Sequence, residues 1–198
     1  WARKGDHKGR PDRKRNRMAY DPERHHRRSI RLKGYDYSQA GIYFVTICVQ
    51  HGQPRLGHIQ DGVMVPSLAG EMVAECWYAL PERFPNIELD VFTLMPNHLH
   101  GNIAILETGL NANQNPIVLG DIVGAFKSIT TNKYIEGVRQ KGWKPFQKRF
   151  WQRDYYEHII RNERALNAIR AYIMNNPANW QDDKLHPDAP PNPFNADW

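Results

Sequence analysis

The sequence predicts an α+β domain of the split βαβ, ferredoxin-like kind, with an antiparallel sheet and helices packed mainly on one face. Three observations carry this prediction. Runs rich in β-branched and aromatic residues mark the strands. Segments with helical spacing of apolar residues separate the first strand from the second and the third from the fourth. The order along the chain is strand, helix, strand, strand, helix, strand and a closing helix, with no internal repeat.

Residues 1–40 read as a basic, largely irregular arm, residues 41–180 as the folded domain, and residues 181–198 as a Pro/Asp-rich tail. Ile42–Val49 is the first strand, dense in β-branched and aromatic side chains. Asp61-Gly62 between Gly57–Gln60 and Val63–Val65 signals a hairpin. Ser67 reads as an N-cap, and Leu68, Met72, Cys76 and Leu80 recur at helical spacing, so 67–83 is expected to be one amphipathic helix. Ile87–Met95 and His98–Leu106 are two strands joined by the tight turn at Pro96-Asn97. Residues 107–118 are a Gly/Asn/Pro loop, and a second helix is expected over about 121–136. A fourth strand is expected over Phe150–Ile160. Asn162 caps a third helix over 163–176, with Leu166, Ile169 and Ile173 as its apolar stripe and Pro177 as its stop.

The chain of 198 residues is long enough to bury a core without disulfides. No apolar run approaches the ~20 residues needed to span a bilayer, so no membrane association is expected. Cys48 and Cys76 lie in no metal-binding spacing and read as reduced, buried thiols, which places the protein in the cytoplasm. The chain starts at Trp1; Met18 is a candidate start, in which case residues 1–17 are an extension. The net charge of +6 is unevenly distributed: residues 1–33 carry thirteen Lys/Arg, among them Arg24, Arg27, Arg28 and Arg31, against four acids. Such an arm cannot fold alone and attracts polyanions by counterion release, so nucleic acid is the expected partner and a merely solvated tail the alternative. Lys127, Lys133, Lys148, Arg149 and Arg153, interleaved with Trp151 and other aromatics, suit phosphate contact with base stacking; a solvated helix face and an aromatic-anchored loop would look the same.

The sharpest local feature is Pro96-Asn97-His98-Leu99-His100. On a strand, His98 and His100 project from one face while Leu99 points to the other. Two adjacent imidazoles are half of a divalent metal site, or simply two half-exposed histidines; the spacing leaves both open. Tyr172 and Asn176 lie four apart and share one helix face. If that helix packs beside the third strand, Asn176 can offer its amide oxygen to a metal and Tyr172 its hydroxyl to a phosphate. Position alone favours the plainer readings, a core or rim tyrosine for Tyr172 and a helix C-cap for Asn176.

Three ordered stretches, Met95–Gly101, Phe150–Asn162 and Tyr172–Pro177, together resemble the single-tyrosine HUH transposases of the IS200/IS605 type. More narrowly, they resemble the REP-associated tyrosine transposases, over roughly residues 18–180. The resemblance implies the HUH endonuclease fold, with His98, His100 and Asn176 binding a divalent metal (Mg²⁺ or Mn²⁺) and Tyr172 as the nucleophile. It implies cleavage and rejoining of single-stranded or hairpin DNA through a 5′-phosphotyrosine, hence DNA transposition and recombination. It also implies a bacterial, nucleoid-associated location and a possible homodimer. Two other classes stay in view: a catalytically reduced DNA-hairpin-binding descendant of a transposase, and a metal nuclease in which water attacks. Tyr155 and Tyr156 are rival nucleophiles without the helical amide partner, and alternation predicts that they face opposite sides of the sheet.

Overall fold

In a computed structural model, residues 39–106, 110 and 116–190 are described. In chain order the elements are β1 (Gly41–Cys48), β2 (Gly57–Gln60), β3 (Val63–Pro66), α1 (Leu68–Tyr78), α2 (Leu80–Arg83), β4 (Ile87–Leu94), β5 (His98–Ile105), α3 (Leu119–Lys141), β6 (Tyr156–Ile160) and α4 (Glu163–Asn175). The principal sheet runs β4-β5-β1-β6 with every neighbouring pair antiparallel, while β2 and β3 form a separate hairpin. This is the expected α+β arrangement, with the first strand inside the sheet and the crossover strands at its edges.

Strand alternation sorts the side chains into two layers. Tyr43, Val45 and Ile47 of β1 and Leu99 and Ile103 of β5 are fully buried in the larger core, against Trp77 of α1 and Phe126 of α3. The opposite face carries Phe44 and Ile160, on which α4 lays Ile173, with Leu166 and Ile169 beside it. The two long helices α1 and α3 therefore cover one face, and α4 lies on the other.

Ser67 and Asn162 cap their helices as expected, accepting from the Gly70 and Ala165 backbone N–H groups at 3.1 and 2.9 Å. Three expected elements have different boundaries. The helix expected over 67–83 breaks at Ala79, because Pro81 has no N–H to donate back to Trp77 and instead sits in the first turn of α2. The second helix is longer than expected: Asp121 accepts from the Val118 N–H at 3.1 Å at one end, and Gly142 closes the other in the left-handed conformation with φ of 68°.

The fourth strand is shorter than expected. It begins at Tyr156, and only an isolated Val49–Trp151 bridge continues the pairing upstream. The carbonyls of Gln152, Arg153 and Asp154 turn to the Lys127 ammonium at 3.0, 3.3 and 3.0 Å instead of to a strand. Tyr155 and Tyr156 do lie on opposite faces, against the larger and the smaller core respectively. After α4, a 3-10 turn over Pro177–Asp182 buries Trp180. Among the described residues no helix is long and apolar enough to cross a membrane.

Candidate active site and metal centre

The register between β1 and β5 places Thr46 opposite His100 and Cys48 opposite His98. Directly paired residues share a face, so all four project with Phe44 toward α4. Gly101, next along β5, points the other way; a Cβ there would lie 2.3 Å from Cζ2 of the buried Trp77. The glycine after the histidine pair is thus demanded by packing of the far face.

Both imidazoles are buried, and their Nε2 atoms face each other at 3.0 Å. Burial holds His98 well below the ordinary imidazole range and brings His100 down to about 3. Both rings are therefore neutral at physiological pH, the state in which a ring nitrogen can ligate a metal. The Phe44 ring stacks on His100 with centroids 5.5 Å apart.

Hydrogen bonds at the far ring nitrogens determine the tautomers. Asn97 uses its Nδ2 to donate to the carbonyls of Gly52 and Leu185, at 3.1 and 2.7 Å. Its Oδ1 therefore faces His98 Nδ1 at 2.8 Å and accepts that N–H. His98 Nε2 is left with a lone pair. The 3.0 Å contact then requires His100 Nε2 to donate, and His100 Nδ1 to accept from the Thr46 hydroxyl at 2.8 Å. A hydroxyl both donates and accepts, so Thr46 can equally hold His100 with its proton on Nδ1 and its Nε2 lone pair free. Partners of this kind orient metal-ligating histidines.

α4 brings Tyr172 to the same place, and the Asn176 side chain lies against Tyr172. The Tyr172 hydroxyl lies 3.4 Å from His100 Nε2 of the same chain, and the ring meets both His100 and Phe44 edge-on. The Tyr172 residue as a whole is 50% exposed. Burial of the phenol and the nearby Asp183 charge push Tyr172 up from its ordinary value, while a hydrogen bond from the Asn176 side chain opposes them. Asn176 is buried and its Oδ1 has no hydrogen-bond partner. The helix is held by Arg170, which donates through Nε and a terminal nitrogen to the two Asp90 carboxylate oxygens at 2.8 and 3.0 Å. Asn102 Nδ2 donates to the same carboxylate at 3.1 Å.

Asp183, just past the 3-10 turn, places Oδ2 3.7 Å from His98 Nε2 with its side chain 7% exposed. The His98, His100 and Asp183 ligand atoms lie within 4.8 Å of one another. Because His98 is neutral and presents a lone pair, this is no ion pair; two acceptors face each other. Buried acceptors without donors are costly, and a cation satisfies them. The donor set of two imidazole nitrogens and an orphaned carboxylate oxygen thus fits a divalent ion. Cys48 does not join it as a thiolate, since burial pushes its thiol up to about 12.

The expected DNA-contacting residues separate. Arg24, Arg27, Arg28 and Arg31 lie outside the described residues. Lys148, Arg149 and Arg153 are exposed. Trp151 is corrected to a core residue: it is buried between Phe126 and Phe150, and its indole N–H donates to Thr130 at 2.8 Å, so no base can stack on it. Lys127 has its ammonium held by three backbone carbonyls. Lys133 reaches the Cys76 thiol between α3 and α1, on the helix-covered face away from the histidines.

Sequence reasoning missed Thr46, Asp183 and the bridging role of Asn97. Asn97 stood inside the quoted motif; nothing local marked the other two.

No protein-family model matches the chain. A relative from Haemophilus influenzae, described as an uncharacterised protein, is 40% identical over 183 residues, covering 85% of this chain and 98% of its own. Among solved structures, a REP-associated tyrosine transposase bound to a REP hairpin superposes with a TM-score of 0.53 at 17% identity, covering 78% of this chain and 77% of that one. That likeness establishes a shared fold. A Deinococcus radiodurans structure described as a candidate transposase covers 73% of this chain and 95% of its own at 18% identity, but its TM-score of 0.42 is too low to carry weight.

Proposed function

The chain belongs to the same protein family as the Haemophilus influenzae relative, and we propose that it is a single-tyrosine transposase-type nuclease that cleaves and rejoins single-stranded or hairpin DNA. One observation carries this reading: within one chain, the hydroxyl of the half-exposed residue Tyr172 lies 3.4 Å from His100 Nε2, itself 3.0 Å from His98 Nε2. This juxtaposition supports Tyr172 as the nucleophile and the two neutral ring nitrogens as metal ligands. The shared fold with a hairpin-bound REP-associated tyrosine transposase supports DNA as the substrate.

His98, His100 and Asn176 would hold a divalent cation, Mg²⁺ or Mn²⁺. When bound, it would polarise the scissile phosphate and offset charge developing there. The chain's own groups do the rest. Tyr172 attacks phosphorus through its phenolic oxygen and its proton passes to water. A Tyr–O–P bond to the 5′ side forms and the P–O3′ bond breaks. The departing 3′ oxygen takes up a proton from water and leaves as a hydroxyl. Because the phosphodiester bond energy is retained in the phosphotyrosine, a 3′-hydroxyl can reverse the step and rejoin strands without ATP. Asn176 assists through its hydrogen bond to Tyr172, which favours the phenolate. The Asp90–Arg170 pair keeps the phenol in register with the histidines. Lys148, Arg149, Arg153 and the basic arm supply phosphate contacts, which position the strand without reading its sequence.

The test is covalent trapping. A labelled hairpin oligonucleotide with Mg²⁺ or Mn²⁺ is expected to stay attached to the denatured protein, and Tyr172→Phe to abolish attachment while leaving hairpin binding intact. Cleavage with release of free product would assign the attack to water. Trapping that persists in Tyr172→Phe would move the role to another tyrosine.

A further inference from the structure

We infer that Asp183 is a metal ligand, and that the segment after α4 is therefore part of the catalytic centre. The inference rests on the proposed metal-dependent function and adds to it a ligand contributed by a separate stretch of chain.

Three independent features converge. The first is geometric: Asp183 Oδ2 is 3.7 Å from His98 Nε2, and its side chain is only 7% exposed. The second is chemical. Asp183 Oδ2 has no hydrogen-bond partner, and neither has Asn176 Oδ1. Its other oxygen, Oδ1, accepts the Leu185 backbone N–H at 2.7 Å, so the carboxylate is oriented with the unpaired oxygen toward the histidines. The Asn97 contact leaves His98 Nε2 with only a lone pair to present. The one proton among the facing ring nitrogens, on His100 Nε2, is taken by His98, so Asp183 Oδ2 is left without a donor, a lack that a cation resolves.

The third feature is the attachment of the segment. Asn97 Nδ2 donates to the Leu185 carbonyl at 2.7 Å, while Asn97 Oδ1 accepts from His98 at 2.8 Å. One side chain thus sets the tautomer of a ligating histidine and holds the loop that carries Asp183. Trp180 packs between His98 and His186, with ring centroids 6.0 and 4.7 Å away, and closes this side of the site. Tyr172 remains half-exposed on the other side, so a DNA strand can still approach.

The carboxylate also bears on which ion is bound. Two imidazoles by themselves suit Zn²⁺ and other borderline metals, whereas oxygen donors suit Mg²⁺ and Mn²⁺. With Asp183 and Asn176 the set becomes two nitrogens and two oxygens, one of them anionic.

The experiment is direct Mn²⁺ binding to the full chain, followed by the loss of the free-ion electron paramagnetic resonance signal. Wild type, Asp183→Asn and His98→Ala are compared, and the melting temperature of each is measured with and without Mn²⁺. Asp183→Asn keeps the volume and the acceptor for Leu185. It is expected to bind Mn²⁺ at least ~10-fold more weakly, by analogy with the losses seen when a ligand's support is removed. Its metal-free melting temperature should be unchanged or higher, because a buried unpaired carboxylate is gone. A metal-free melting temperature well below wild type would instead assign Asp183 a structural role and overturn the inference. Wild-type Mn²⁺ affinity in Asp183→Asn, with affinity lost in His98→Ala, would overturn it while leaving the histidine site standing. Absence of Mn²⁺ binding in wild type would overturn both.

Discussion

Thr46→Val isolates the hydroxyl that serves His100. Valine keeps the shape and removes the oxygen that lies 2.8 Å from His100 Nδ1 in a buried environment. In the metal-free protein this deletes one buried hydrogen bond and leaves Nδ1 unpaired, a loss of about 1–3 kcal/mol. With metal bound, His100 must carry its proton on Nδ1, and that N–H also loses its acceptor. Part of the penalty is therefore common to both states and cancels from the affinity. What remains is the excess cost of an orphaned N–H over an orphaned lone pair, which places the affinity loss near ~10-fold, the lower end of the range for partners of ligating histidines. Urea unfolding without metal and Mn²⁺ binding by paramagnetic resonance measure the two effects separately. Thr46→Ser, which retains a hydroxyl, is expected to recover both. Wild-type Mn²⁺ affinity in Thr46→Val would show that the hydroxyl does not set the ring's proton position, and the tautomer argument would fail.

Arg170→Gln breaks the paired contact to Asp90 two residues before the nucleophile. Small misplacements of a reacting group are costly, so covalent trapping should slow by ~10-fold or more while Mn²⁺ affinity stays unchanged; undiminished trapping would refute a positioning role. Arg170 holds the Asp90 carboxyl below the usual range. A lowered folded-state value means the carboxylate's contribution is complete above the unfolded value of ~3.9 and is lost only as pH falls through the lower folded one. The acid-unfolding midpoint, followed by circular dichroism, should therefore move to higher pH in Arg170→Gln. Gly101→Ala drives a methyl to 2.3 Å from the Trp77 ring and should destabilise the fold by about 1–3 kcal/mol in urea titration, whereas a neutral result would mean the ring moves aside freely. Removing residues 1–33, with thirteen Lys/Arg, should weaken hairpin binding and flatten its dependence on salt by ~0.7–0.9 for each phosphate that the arm neutralises; an unaltered slope would exclude the arm from the interface.

Much of the site's local geometry was legible from periodicity. A repeat of two on a strand puts His98 and His100 on one face, and a spacing of four on a helix does the same for Tyr172 and Asn176. The caps Ser67 and Asn162 were equally local and lie at the ends of the elements they start. Trp151 shows the limit of composition: an aromatic in a basic stretch looks like part of a DNA face, but it fills the core beneath α3.

By itself the sequence determined the element order and which side chains share a face, because both follow from backbone periods that span only a few residues. It also determined the basic composition of residues 1–33, while the meeting of the imidazoles with a helical phenol and amide came only from the family resemblance. Only the tertiary structure decided that α4 packs on the sheet face opposite α1 and α3, bringing Tyr172 to His100 across 72 residues of chain. The same holds for the return of Leu185 to Asn97 across 88 residues, which carries Asp183 to the histidines from a stretch that looked like a tail. Contacts at such separations depend on how whole faces pack and how distant acceptors are satisfied, and no short-range pattern encodes that.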